Sequence, residues 1–311
     1  MPLTLDRPAI LRWLAETDMS RLEELWREAD RVRQDHVGDE VHLRGLIEIS
    51  NHCLRQCHYC GLRAGNRDVT RYRMTADEIV ACAKQTRSFG YGTVVLQAGE
   101  DDGLTREAVA GIVKRIKAEA GVAVTLSLGE RTVDELRTWR EAGADRYLLR
   151  FETSNTELFS RMHPPRRGQR LSRMELLRQL APLGYEVGSG VMLGIPGQSY
   201  DDLANDLELF RELDLDMIGV GPFIAHPATP FGKSDPPDPD RQVPATELMT
   251  YKTIALTRLL CPDANIPSTT ALATLNRAQG RDLALLRGAN VVMPNVTPVS
   301  YRARYEIYPG K

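Results

Sequence analysis

A parallel (β/α)8 TIM barrel with an N-terminal helical extension is the fold this sequence predicts. Strand-like segments alternate with helix-like ones along the chain, and the strand count reaches eight. No low-complexity linker or strict repeat interrupts that rhythm. An open doubly wound sheet needs a similar pattern, and the count of eight favours the closed barrel. The 311 residues suit one large barrel. The expected division is an extension over 1–42 and a barrel over 43–311.

Apolar residues at i, i+3 and i+4 predict an opening helix from Ser20 to Gln34, with Ser20 and Glu23 as a capping box. The expected strands are Leu43–Ser50, Thr93–Gln97, Ala123–Leu128, Arg146–Arg150, Glu186–Met192, Met217–Gly221, Asn265–Thr269 and Asn290–Met293. Between them, Thr75 with Glu78, Thr132 with Glu135, and Ser199 with Asp202 mark helix starts. Val109, Ile112, Val113 and Ile116 form the buried stripe of one helix. Later helices are expected over Thr246–Leu260 and Arg277–Leu286.

A net charge of −2 gives the chain as a whole no attraction for nucleic acid or an anionic membrane. No apolar run approaches the roughly 20 residues that span a bilayer. The start, Met1 to Arg7, lacks an apolar signal core, so a cytoplasmic location is expected. Three of the five cysteines fall within eight residues. Such clustering with an odd total favours a metal site over a disulfide framework.

That cluster is Cys53, Cys57 and Cys60, spaced C-x3-C-x2-C, in the loop after the first strand. In a barrel such a loop lies on the catalytic face. Thiolates suit iron–sulfur clusters or zinc. A structural zinc site wants four protein ligands, so zinc would need His52 or His58 as the fourth. Three thiolates on a 4Fe-4S cluster leave one iron open. Cys82, on a helix beside Ile79, and Cys261, before Pro262, read as structural.

Alternation along the fourth strand puts Arg146, Leu148, Arg150 and Glu152 on one face and Tyr147, Leu149 and Phe151 on the other. The apolar set should meet the helices, so the charged set should point into the lumen. Charges there require partners or ligands. A structural salt-bridge network is one reading. The other is a ligand site, with Glu152 taking an ammonium group. Thr125 and Ser127, the Gln97-Ala98-Gly99-Glu100 strand end, Thr269 with Thr270, and Met293 extend the polar lumen. Gly188 and Gly190 are expected to leave room beside a cofactor.

The cysteine motif resembles that of the radical S-adenosylmethionine (SAM) superfamily. The resemblance implies that SAM chelates the open iron and that reductive cleavage gives a 5′-deoxyadenosyl radical. It also puts Tyr59, before the last cysteine, near the adenine. Longer stretches narrow it further. Tyr59-Cys60-Gly-Leu-Arg63, Ala142-Gly-Ala-Asp-Arg146-Tyr-Leu-Leu-Arg150 and Pro222-Phe-Ile-Ala-His226-Pro are similar to the HydE family of FeFe-hydrogenase maturases. The similarity runs from about residue 40 to the end. It implies SAM contacts at Ser127, Glu152, Arg170 and Met192, and a cavity lined by Arg44, Thr125, Arg150, Thr269, Thr270, Met293 and Tyr305. It further implies an organometallic iron substrate carrying cysteine, carbon monoxide and cyanide, and transient contact with other maturases and an electron donor. Many members carry extra C-terminal cysteines for an accessory cluster, and none follows Cys261 here. Methylornithine synthase acting on lysine and a non-catalytic iron–sulfur carrier are the alternatives. Biotin synthase is disfavoured because no strand-end cysteine is present for a second cluster within the barrel.

Overall fold

The computed structural model describes residues 5–165, 171–233 and 242–311. Helices α1 (Arg7–Ala15) and α2 (Met19–Val37) precede β1 (His42–Ser50), α3 (Ala76–Ser88), β2 (Thr93–Ala98), α4 (Arg106–Glu119) and β3 (Ala123–Ser127). Then come α5 (Val133–Glu141), β4 (Arg146–Leu148), α6 (Thr156–Met162), α7 (Arg173–Leu180), β5 (Glu186–Leu193), α8 (Tyr200–Glu212) and β6 (Met217–Pro222). The chain continues through α9 (Pro230–Lys233), α10 (Glu247–Leu260), α11 (Thr270–Leu275), α12 (Gly280–Leu285), β7 (Val291–Val292) and α13 (Val299–Arg302).

The strands form one parallel sheet in the order β6-β5-β4-β3-β2-β1-β7. The ring closes through the segment expected as the seventh of eight strands, Asn265–Thr269. It is reduced to bridges, Met217 to Asn265 and Pro267 to Val291. Ile218 N donates to Asn265 O at 3.0 Å, and Ser268 N to Val291 O at 2.9 Å. Pro267 has no N–H to give a ladder, so the strand cannot extend. Asn290 Oδ1 instead accepts from Ile266 N at 2.8 Å.

The expected strand Arg146–Arg150 stops at Leu148. Beyond it the backbone stays attached to β5 irregularly, through Leu149 N to Gly188 O and Glu152 N to Gly190 O. Ser189 Oγ fills the gap, accepting from Phe151 N and donating to Leu149 O. The alternation still holds: Tyr147 stacks on Trp139 of α5, and Phe151 packs on Phe210 of α8, both outside the barrel. Arg146 sits at the strand start, ion-paired with Glu186 at 2.5 Å, and takes the structural role.

Capping boxes at Thr75–Glu78, Thr132–Glu135 and Ser199–Asp202 are formed, and a fourth unites Ser172 with Glu175. The expected Ser20–Glu23 box is not. Asp18 caps α2 instead, accepting from Ser20 N at 2.8 Å. The α4 stripe of Val109, Ile112, Val113 and Ile116 is buried, as expected. Helix α1, absent from the expected elements, buries Ala9, Ile10 and Leu14 and packs on α8 and α10. Its last turn is fastened by the buried Lys252, which donates to the Leu14 and Glu16 carbonyls. Cys82 lies in the core and Cys261 ends α10. Among the described residues no helix is long and apolar enough to cross a membrane.

Candidate active site

The cysteine loop is shaped by hydrogen bonds to its carbonyls. Arg71 donates to Asn51 O, Leu62 O, Arg63 O and Asn66 O at 2.6–3.3 Å. Leu54 N is tied to Glu100 O at the end of β2, and His58 N to Met162 O of α6. A Cβ at Gly99 would lie 2.3 Å from His52 O and 2.7 Å from Cys53 Cβ, so only glycine lets the loop rest there. Burial pushes the Cys53 thiol up, Cys57 up to about 12 and Cys60 higher still. Thiolates at these positions therefore require a bound cation. Among the described residues no three His, Cys, Asp or Glu side chains converge on a single-ion site. Three thiols on one loop, with no fourth cysteine beside them, suit a 4Fe-4S cluster with one open iron. His58 packs edge-on against Phe231.

Below the loop lies a cavity of about 350 Å³. Its upper wall carries Cys53, Cys57, Tyr59, Cys60, Gln97, Ala98 and Gly99, and Ser127, Glu152 and Met192 lie around it. Arg44, Thr125, Arg150, Thr269, Thr270, Met293 and Tyr305 line the same space. The described candidates for the cluster, SAM and substrate contacts are thus brought together, whereas Arg146, Gly188 and Gly190 do not line this space. Arg170 lies outside the described residues. Thr269 also caps α11, accepting from Leu272 N at 3.4 Å. The Tyr59 hydroxyl is 3.0 Å from His163 Nε2. Burial first, then Arg173, drives His163 well below the ordinary imidazole range, so that ring is neutral at neutral pH.

Several polar groups on this wall are poised for a ligand. Among the described residues, the buried Thr125 Oγ1 and Arg150 Nε have no hydrogen-bond partner. Glu152 Oε2 lacks one as well, though it stands 3.1 Å from an Arg150 nitrogen. Glu152 has a φ of +66°, a left-handed conformation costing about 1–3 kcal/mol for a residue with a side chain. Such orphaned atoms and strain mark ligand sites. At the start of the strands Arg44 is only 7% exposed. Its nitrogen donates to Met217 Sδ at 3.0 Å, and no carboxylate lies within 4.0 Å of it among the described residues. Burial first, then Arg146, pulls its guanidinium down to about 10.

Four charges meet in this site in a way a sequence reading does not connect, although Glu100 is itself expected at the lumen. Arg55, between Cys53 and Cys57, reaches Glu130 at 3.1 Å and Glu100 at 3.7 Å. Arg173 of α7 reaches Glu130 at 2.9 Å and Glu100 at 3.8 Å, and donates to Arg150 O. The quartet is almost wholly buried and joins the loop to the ends of β2 and β3. A fifth and sixth, Glu48 and Lys311, form an ion pair beside Tyr305, with the ammonium over that ring. Nothing local signals pairs so far apart in sequence.

The expected room at Gly188 and Gly190 is taken by protein. A Cβ at Gly188 would meet Leu148 and Met217 side chains, and one at Gly190 the Gly219 backbone. The open wall is on β6 instead. Gly219 and Gly221 line the cavity, and a Cβ at Gly219 would meet nothing nearer than Ser189 O at 3.8 Å.

A barrel whose catalytic mouth carries three separated thiols above a polar lumen is the architecture of a cluster-dependent radical enzyme. The model of the radical SAM superfamily matches residues 47–210, and the chain belongs to that superfamily. Within it the chain is a HydE-like radical SAM enzyme. It is 47% identical to the [FeFe] hydrogenase maturase subunit HydE of Thermotoga maritima, over 98% of this chain and 84% of that one. The 3-methylornithine synthase of Methanosarcina barkeri is 30% identical over 90% of this chain and 76% of its own length. The crystal structure of methylornithine synthase superimposes with a TM-score of 0.83 at 28% identity, covering 94% of this chain and 82% of that one. The cofactors are those of the superfamily, a 4Fe-4S cluster and SAM.

Proposed function

We propose that this chain is an FeFe-hydrogenase maturase that processes an iron complex carrying cysteine, carbon monoxide and cyanide within the barrel lumen. Arg44 carries the reading. A buried guanidinium with only a thioether acceptor is costly unless an anionic or strongly accepting ligand arrives. A cyanide or carboxylate group on the complex meets that need.

Cys53, Cys57 and Cys60 would hold the 4Fe-4S cluster, which together with bound SAM would supply one-electron radical chemistry. Glu152 would accept from the SAM ammonium, and Arg150, whose Nε has no partner among the described residues, would face the carboxylate. Arg170 is the further SAM contact that the family resemblance implies, and Arg173, fixed at the same wall by its quartet, adds a second guanidinium there. Tyr59, pinned by His163, offers its ring to the adenine. Ser127 and Met192 complete the contacts. Thr125 donates to the substrate zone, and Tyr305 with Lys311 closes the side of the lumen against water. Other maturases and an electron donor are the partners this role requires.

Lysine, the substrate of the methylornithine reading, asks for carboxylates at its ammonium groups. The lumen acids are already compensated: Glu48 by Lys311, Glu100 by Arg55 and Arg173, Glu152 by Arg150. The test is complementation. A strain lacking its own HydE, given this gene with the other maturases, should regain hydrogenase activity. Soluble protein that cleaves SAM, converts lysine to methylornithine and restores no activity would favour the alternative.

A further inference from the structure

Helix α8 runs outside the barrel, across the ends of β4 and β5. Its Asp206 is fully buried, and no cation lies within 4.0 Å of it among the described residues. The carboxylate faces inward rather than to solvent. Asp206 Oδ1 accepts from Ser154 N at 2.5 Å, two residues after the left-handed Glu152. On its other side lies Gln198. Gln198 donates to Met192 O at 3.1 Å and accepts from Gly194 N at 2.8 Å. The two strand ends meet directly as well, through Met192 N to Glu152 O at 3.2 Å. One helix turn earlier Asp202 accepts from Asn155 Nδ2 at 2.9 Å, fastening the same loop a second time.

We propose that Asp206 is a positioning residue for SAM: from behind the barrel wall it holds the ends of β4 and β5 so that Glu152 and Met192 face the cofactor. A left-handed residue persists only when its surroundings over-determine it. The bond from Ser154 N supplies that constraint immediately downstream of Glu152, and the Gly190 and Met192 bonds supply it at the residue itself. An uncompensated buried acid has no packing advantage over leucine. Burial pushes this carboxyl up to about 7, which marks how poorly the site serves the acid itself. Its presence at the junction of two cofactor-facing strand ends is therefore explained by the acceptor it presents. The proposal rests on Glu152 contacting SAM.

The test measures SAM affinity by calorimetry on the anaerobically reconstituted holoenzyme, with iron content and melting temperature beside it. Asp206→Leu removes the acceptor and relieves the buried acid, and the melting temperature reports how far that relief offsets the Ser154 N–H left unpaired. The variant should bind SAM about tenfold more weakly, with full iron content. Asp206→Asn keeps an acceptor oxygen and should bind within about threefold of the parent. Glu152→Gln should also weaken binding. The double variant Glu152→Gln with Asp206→Leu should be no weaker than Glu152→Gln alone, because the two act through one contact. If Glu152→Gln binds SAM as the parent does, the Glu152 assignment fails and the proposal falls with it. If Glu152→Gln weakens binding while Asp206→Leu does not, the proposal alone is overturned. Additive losses in the double variant overturn it equally, since Asp206 would then act elsewhere.

Discussion

Gly219 is the glycine in the cavity wall that no protein contact explains. Its backbone is not left-handed, and an added Cβ would have 3.8 Å of clearance. Gly45, Gly188, Gly190 and Gly221, by contrast, each face a protein atom within 3.1 Å. The empty space at Gly219 is therefore reserved for a ligand, one inward step above Met217 and Arg44. Gly219→Ala should raise apoprotein stability by about 0.4–1 kcal/mol, through the lost freedom of the unfolded chain. That is about 1–3 °C in melting temperature for a chain this size. Gly219→Val should intrude on the ligand. Forcing extra carbons into a fitted space costs about 1–3 kcal/mol, or roughly 5- to 150-fold in affinity. The assay is titration of the reconstituted holoenzyme with a synthetic iron complex carrying cysteine, carbon monoxide and cyanide. SAM cleavage without substrate should stay at the parent rate. A drop of several degrees for Gly219→Ala would mean that protein fills the notch. Undiminished binding of the complex by Gly219→Val would refute the reasoning outright.

Arg44→Met should raise the melting temperature of the apoprotein while abolishing processing of the iron complex. Replacing a buried charge by a well-packed apolar chain is neutral or stabilising by about 1–4 kcal/mol, and a lower melting temperature would count against the argument. Asp206 should impose a pH dependence on stability. Its folded carboxyl titrates at about 7 against an ordinary 3.8, because burial, with Asp202 nearby, disfavours the charge. The folded state thus holds the proton longer. The contribution is full below about pH 4, is lost as pH rises to about 7, and amounts to roughly 4 kcal/mol at ~1.4 kcal/mol per unit. Urea titrations between pH 4 and 8 should show this fall in the parent and its absence in Asp206→Asn.

Local chemistry made much of this molecule legible. Three capping boxes, the α4 stripe and seven of the eight expected strands follow from side-chain spacing, and the thiol motif follows from three cysteines in one loop. Period-two alternation also put Thr125, Arg150 and Glu152 toward the lumen and Phe151 away from it. What escaped depends on distance or on single-residue geometry. Pro267 thins the seventh strand to bridges, a penalty visible only once its neighbours are known. The Arg55, Arg173, Glu100 and Glu130 quartet joins segments up to 118 positions apart. Gly188 and Gly190 looked like open wall because alternation gives a side but not what occupies it. Arg146 shares a face with Arg150, yet its position at the strand start sends it to Glu186.

Arg71 bears on when the site takes shape. One planar guanidinium, held by four carbonyls across Asn51, Leu62, Arg63 and Asn66, sets the curve of the thiol loop through protein contacts. Ordering such a loop at the moment of iron binding would consume about 1–2 kcal/mol per residue. Here that entropy is surrendered during folding, and iron meets a finished mould. Cluster insertion becomes a local event on a folded chain.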